Sequence, residues 1–273
     1  MTKITAAEVN ELRKFTGAGM MDCKNALVEA DGDFDKAIEF LRKQGQKIAA
    51  KRSDRDSNEG AVIAKVNGEA TKGVIVSLNC ETDFVAKNEA FINLAHEFAE
   101  LALSTSTKEE FLNSDFNGIS VQEKIIEQIG VIGEKIEIGA YRTLDASFVG
   151  SYIHAGNKIA VITGLSEKAE GAAQVAKDVS MQAAAMNPIA LNEDGVDKSV
   201  IDKEIEIVKD QLRQEGKPEA ILDKIVQGKI KRFFKDNTLV NQTFIKDSKQ
   251  SVAQYVKTIG DVEVVSFERV ALR

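Results

Sequence analysis

A change of hydrophobic period constrains this chain more than any other feature. Up to residue 45, apolar side chains recur every three or four positions. Across residues 46–59 the recurrence gives way to alternating charges, with Lys51, Arg52 and Arg55 set against Asp54, Asp56 and Glu59, and beyond that the period is two. Helical spacing buries one stripe of a helix, whereas alternation buries one face of a strand. The pattern therefore predicts a helical unit joined by a solvated linker to a sheet-containing unit, an α+β fold.

The first unit reads as three short helices. Thr5-Ala6-Ala7-Glu8 is a capping box ahead of Val9, Leu12 and Phe15. Gly17 and Gly19 suit a turn into a second helix over residues 20–30, which stops at Asp31-Gly32-Asp33. Ala37, Ile38, Phe40 and Leu41 mark a third, which Gln44-Gly45 is expected to close.

Past the linker, Val62, Ala64 and Val66 alternate, Asn67-Gly68 marks a turn, and Val74, Val76, Leu78 and Cys80 share one face of a second strand. Phe91, Leu94, Ala95, Phe98 and Leu101 then return to helical spacing, so a helix should lie on that hairpin. A helix near residues 119–128 and a strand over 135–144 follow. The same order recurs: strands over 148–154 and 158–163, then a helix in which Val175, Val179, Ala183 and Met186 share a face. Two related two-layer subdomains are expected, with little residue identity between them.

After Asn187-Pro188, Ile201, Ile205, Val208 and Leu212 follow the four–three spacing of a coiled-coil seam. Gly216-Lys217-Pro218 makes a turn, with the proline suited to a first helical position, and Ile221, Leu222, Ile225, Val226 and Phe233 build a return helix. Residues 262–270 read as a strand rejoining the second sheet. The expected division is a helical domain over 1–50, a linker over 51–59, a first α+β subdomain over 60–145, and a second over 146–273 carrying an antiparallel helical hairpin at about 190–234.

Charge and composition narrow the function. The formal net charge of −7 repels polyanions and opposes nonspecific nucleic-acid binding. Residues 1–50 hold eight Lys or Arg and eight Asp or Glu, net zero, so the three helices are better suited to docking protein than to reading DNA. Residues 1–14 lack the apolar core of a secretory signal, and no apolar run approaches the roughly 18–20 residues of a membrane span. A cytoplasmic protein with two reduced cysteines, Cys23 and Cys80, is expected. No phosphate loop is present, no Gly-x-Ser-x-Gly elbow, and no zinc-ligand spacing, so neither catalytic residues, nor a bound metal, nor a cofactor is expected. His96 receives no role.

The most informative segment is Cys80-Glu81-Thr82-Asp83-Phe84-Val85-Ala86-Lys87-Asn88, between a strand and a helix. On the residues alone, Asp83 caps a helical turn and Phe84 fills the space beneath it. The alternative is a loop that offers a carboxylate beside a large apolar wedge. Met20 and Met21, opening the second helix, are core filling on the same basis, or an adaptable contact for a partner.

The chain closely resembles the elongation factor Ts family, bacterial guanine-nucleotide exchange factors that act on elongation factor Tu. The resemblance covers nearly all of it. It rests on Leu12-Arg13-Lys14-Phe15-Thr16-Gly17-Ala18-Gly19-Met20-Met21-Asp22-Cys23-Lys24, on Asn79-Cys80-Glu81-Thr82-Asp83-Phe84-Val85-Ala86-Lys87, on Gly150-Ser151-Tyr152-Ile153-His154, and on Ile132-Gly133-Glu134-Lys135-Ile136 at the entry to the middle strand. It implies a ubiquitin-associated-like first domain, and an exchange loop at Thr82, Asp83, Phe84 and Val85 that inserts near the partner's magnesium. It also implies partner contacts at Met20, Met21, Ile132, Gly133 and His154, although a local turn hydrogen bond would equally explain His154. The implied partner is elongation factor Tu, GDP-bound and nucleotide-free, with no direct contact to nucleic acid or membrane. Some members continue past the last strand into a helix that touches the partner. This chain ends at Arg273, so its first domain is expected to carry more of the docking.

Overall fold

A computed structural model describes residues 4–272. Thr5 caps helix α1 (Ala6–Thr16) as a capping box: its hydroxyl accepts the Glu8 N–H, and the Glu8 carboxylate accepts the Thr5 N–H. With α2 (Met20–Glu29) and α3 (Phe34–Arg52) it closes a small core around Leu12, Cys23, Ala26, Leu27 and Ala37. Phe15 departs from the expected stripe. It stands 71% exposed, edge-on to Phe34 with ring centroids 5.8 Å apart.

The third helix does not close at Gly45 but continues to Arg52. Ile48 and Ala49 pack on the next core, so the charged stretch carries an apolar stripe too short to stand out among its charges. The connection to the sheet region is correspondingly short, residues 53–58.

Strands β1 (Glu59–Val66) and β2 (Lys72–Cys80) form the expected hairpin. Then come the single turn α4 (Asp83–Ala86), α5 (Glu89–Ala102), α6 (Lys108–Asn113), the two-residue strands β3 (Asp115–Phe116) and β4 (Ile119–Ser120), α7 (Val121–Ile132) and β5 (Glu137–Asp145). β5 joins β2, giving the antiparallel order β1-β2-β5. Val74, Val76, Leu78 and Cys80 face Phe91, Ala95 and Phe98 of α5, with Phe111, Ile125 and Ile129 completing the core.

The second unit repeats the plan with β6 (Phe148–Ile153), β7 (Ile159–Leu165) and α8 (Ala172–Met186). It continues through α9 (Lys198–Gln214), α10 (Glu219–Asn237), β8 (Thr243–Phe244), β9 (Asp247–Ser251), α11 (Val252–Val256) and β10 (Val264–Ala271). β10 pairs with β7, in the order β10-β7-β6. Val175, Val179 and Ala183 point into this core, whereas Met186, the last residue of the helix, is exposed. Asp178, buried on α8, accepts from Lys246 Nζ at 2.6 Å, Tyr255 Oη at 2.7 Å and Gln174 Nε2 at 2.8 Å. Burial and the neighbouring Asp178 push the Tyr255 hydroxyl up to about 12.

The two sheets pack on each other. Val62, Ala64 and Ile75 of the first meet Val149, Ala160 and Ile162 of the second, so β1, β2 and β7 are buried on both faces. Helices cover the outer faces, and the whole is a mixed α+β architecture with the three helices at its amino end. The hairpin helices begin at Lys198, later than expected, and Pro218 sits at the cap of α10 rather than inside it. Val208, Leu212, Leu222 and Val226 are their buried seam.

Candidate functional site

β2 runs out at Cys80, and the chain turns over Glu81 and Thr82 into the single turn α4. Thr82, not Asp83, is the cap: its hydroxyl accepts the Val85 N–H at 3.4 Å. Two residues past the end of α4, Asn88 caps α5, its Oδ1 accepting the Ala90 N–H. Successive positions on a helix diverge by about 100°, so the turn sends neighbouring side chains opposite ways. Val85 and Ala86 pack on the first core. Phe84 points outward and is 83% exposed, the largest exposure of any big apolar side chain among the described residues. The reading in which Phe84 fills the space beneath its own loop is therefore overturned.

Two carboxylates hold the turn from below, in reciprocal fashion. Glu134 accepts the N–H groups of Glu81 and Thr82 at 3.1 and 3.0 Å on one oxygen and the Thr82 hydroxyl at 2.6 Å on the other. Glu81 in turn accepts the Lys135 N–H at 2.6 Å and Arg52 Nη1 at 2.7 Å, with Arg55 Nη1 at 3.7 Å. Burial pushes the Glu81 carboxyl up, but the Lys135 N–H and the two arginines outweigh it and hold the group below its ordinary range. On the exposed side, a hydrogen bond from Lys87 at 2.6 Å and its charge hold Asp83 low, helped more weakly by Lys158.

Ile132 and Gly133 deliver Glu134 to this position. Ile132 is half-buried against the first core. Gly133 ends α7 in the left-handed conformation at φ 78°, where a side chain would be strained, and its N–H bonds the Ile129 carbonyl.

His154 follows β6 at the same end of the molecule. Lys158, in the β6–β7 turn, pairs with Glu59 at 2.9 Å, and Glu59 lies opposite Cys80 in the β1–β2 register. The imidazole is exposed, with Nδ1 3.0 Å from Tyr152 Oη, and its backbone N–H bonds the Ile159 carbonyl. The local hydrogen bond and the outward aspect thus coexist. Met20 and Met21 stand apart on α2, 53% and 62% exposed, and do not fill the core.

Cys80 offers no nucleophile. It is fully buried, its Sγ lies 3.2 Å from the Thr82 carbonyl, and burial with the adjacent Glu134 charge pushes the thiol up to about 12. Among the described residues, no three His, Cys, Asp or Glu side chains gather as a metal site, and no helix is long and apolar enough to cross a membrane.

Neither Glu81 nor Glu134 stands out within its sequence motif, and Arg52 lies among the alternating charges expected to form a linker. Their partners lie 29 to 54 residues away, beyond the reach of any local pattern.

The family model described as Elongation factor TS matches residues 81–273. Among curated proteins, the chain is 74% identical over 273 residues to an elongation factor Ts of Christiangramia forsetii and 64% identical to one of Flavobacterium psychrophilum, in both cases over the whole of each chain. An elongation factor Ts of Porphyromonas gingivalis is 45% identical over 274 residues, covering 98% of each chain.

Proposed function

The chain belongs to the elongation factor Ts family of translation elongation factors, and on that premise we propose that it is a guanine-nucleotide exchange factor for elongation factor Tu in the cytoplasm. It binds the GDP-bound GTPase, displaces Mg²⁺ and releases GDP, leaving a nucleotide-free complex that GTP can enter. It performs no covalent chemistry.

The observation that carries this reading is Phe84, a large apolar side chain fully presented to solvent on a turn whose backbone is tied down beneath it. A tip of this kind enters another protein's packed pocket without ordering itself first. Asp83, ionised beside it, supplies the negative charge that competes with nucleotide phosphates for the ion. Met20 and Met21 supply a separate docking surface on the helical unit. His154 contributes at the tip's end of the second sheet, and Ile132 and Gly133 at the turn behind it. The proposed division is a helical domain ending in α3, then two α+β subdomains meeting between β5 and β6.

The mechanism is linkage. Whatever factor this protein imposes on GDP affinity, GDP imposes equally on its own binding. Weakening GDP by 10⁴ takes about 5.5 kcal/mol of opposing interaction. One buried aromatic anchor contributes about 2–4 kcal/mol, so ion displacement and the wider interface supply the rest.

The test is release of a fluorescent GDP analogue from purified elongation factor Tu with and without this chain, and with Phe84→Ala. Acceleration by the wild type that collapses in the variant while the complex still forms supports the reading. Binding with no acceleration would make the chain an adaptor and overturn it.

A further inference from the structure

We propose that Glu134 is the positioning residue of the tip. Its carboxylate fixes the backbone from which Phe84 projects, and it contributes to exchange without touching the partner. The inference rests on the exchange reading above.

Three observations carry it. First, every hydrogen bond Glu134 accepts comes from two consecutive residues of the tip: the Glu81 N–H, the Thr82 N–H and the Thr82 hydroxyl. Among the described residues, no Lys, Arg or His comes within ion-pair distance of it, so its hydrogen-bond donors are those of the loop. Hydrogen bonds to an ionised acceptor are about twice as strong as neutral ones.

Second, the Thr82 hydroxyl has one proton. Donating it to Glu134 leaves a lone pair facing the Val85 N–H, which is the bond that caps α4. The carboxylate thereby sets the start of the turn, and the turn sets the direction of Phe84.

Third, Glu134 sits where local preference opposes it. It follows the last turn of α7, where the helix dipole disfavours an anion, and it lies against buried Cys80, whose thiol its charge pushes up. A residue that breaks a local rule needs a compensating role, and holding the tip is the one the geometry offers.

The experiment uses the full chain and three variants, Glu134→Ala, Glu134→Gln and Phe84→Ala. The maximal rate of GDP-analogue release at saturating exchange factor is measured separately from the affinity of the complex. Misplacing a functional group by about 1 Å can cost up to about 10²-fold in rate. Glu134→Ala is therefore expected to lower the maximal rate by about tenfold or more, with affinity within about threefold. Glu134→Gln should fall between it and wild type, since its amide oxygen still accepts the two N–H groups.

A readout independent of exchange comes from Phe84→Trp, because the natural chain has no tryptophan. Adding Glu134→Ala to that variant should lower the fluorescence anisotropy of its lone indole, with circular dichroism unchanged. Should Glu134→Ala fail to fold, Glu134→Gln carries both arms. Wild-type exchange in the Glu134 variants alongside loss in Phe84→Ala, or an indole no more mobile without Glu134, overturns this inference. Wild-type exchange in Phe84→Ala instead overturns the exchange reading, and the anisotropy arm still decides whether Glu134 holds the turn.

Discussion

Gly45 of α3 and Gly130 of α7 meet backbone to backbone: a methyl group added at Gly130 would stand 3.2 Å from the Gly45 Cα, and one added at Gly45 would stand 2.8 Å from the Ile126 carbonyl oxygen. Neither helix can yield there without disturbing its own ladder. The absence of two side chains lets α3 lie directly on α7 and places both helix ends under the tip.

Gly45→Ala is accordingly expected to destabilise the protein by about 1–2 kcal/mol. Overpacking a close contact costs roughly 1–3 kcal/mol, offset in part by the better helix propensity of alanine. Thermal unfolding followed by circular dichroism should show a Tm lowered by several degrees. An unchanged or raised Tm would mean that the helices separate freely.

Adjacent residues of the tip should behave in opposite ways. Phe84→Ala removes only exposed surface and should leave stability within about 0.5 kcal/mol, while stimulated GDP release falls. Val85→Ala withdraws a half-buried side chain from the first core and should cost about 1 kcal/mol in urea unfolding. Equal stability losses at the two positions would contradict the orientation of the turn.

Met20→Ala combined with Met21→Ala should weaken the complex about tenfold or more, as expected for anchors in a docking patch, without altering Tm or the maximal release rate. Calorimetric titration against nucleotide-free elongation factor Tu measures the first and saturating exchange kinetics the second. A fall in maximal rate with affinity intact would move these residues from docking to the exchange step.

Acid should loosen the fold through Glu81 and Asp178. At Asp178 burial raises the group, but hydrogen bonds from Lys246 and Tyr255 win and hold it low, as the Lys135 N–H and arginines do at Glu81. A carboxyl whose folded value lies below its unfolded one adds stability above the ordinary carboxylate range of about 4 and loses it as pH falls through the folded value. Urea midpoints measured from pH 7 to pH 3 should therefore drop more steeply in wild type than in an Asp178→Asn, Glu81→Gln double variant. Parallel curves would refute this.

Local pattern revealed much of this. The capping box at Thr5, the shared face of Val74, Val76, Leu78 and Cys80, the seam through Val208 and Leu212, and the return of the last strand were all visible in spacing. The extent of α3 was not, because Gly45 mimics a stop and only Ile48 and Ala49 mark the buried side of the charged stretch. Burial of β1, β2 and β7 on both faces was hidden as well, since it depends on two sheets whose facing residues lie more than seventy positions apart in the chain. The direction of Phe84 could not be read at all: a solitary phenylalanine has the same pattern whether it faces in or out, and the Glu134 carboxylate that ties down its turn lies some fifty residues away.

The unbroken run of α3 turns the amino-terminal unit into something other than a tethered arm. Nineteen residues at about 1.5 Å each make a strut of about 28 Å, braced against α7 along the way and ending on Glu81. The helical unit and the turn that presents Phe84 are thus bridged by one continuous rod, so a load applied to either is carried through α3 and not lost in a slack linker.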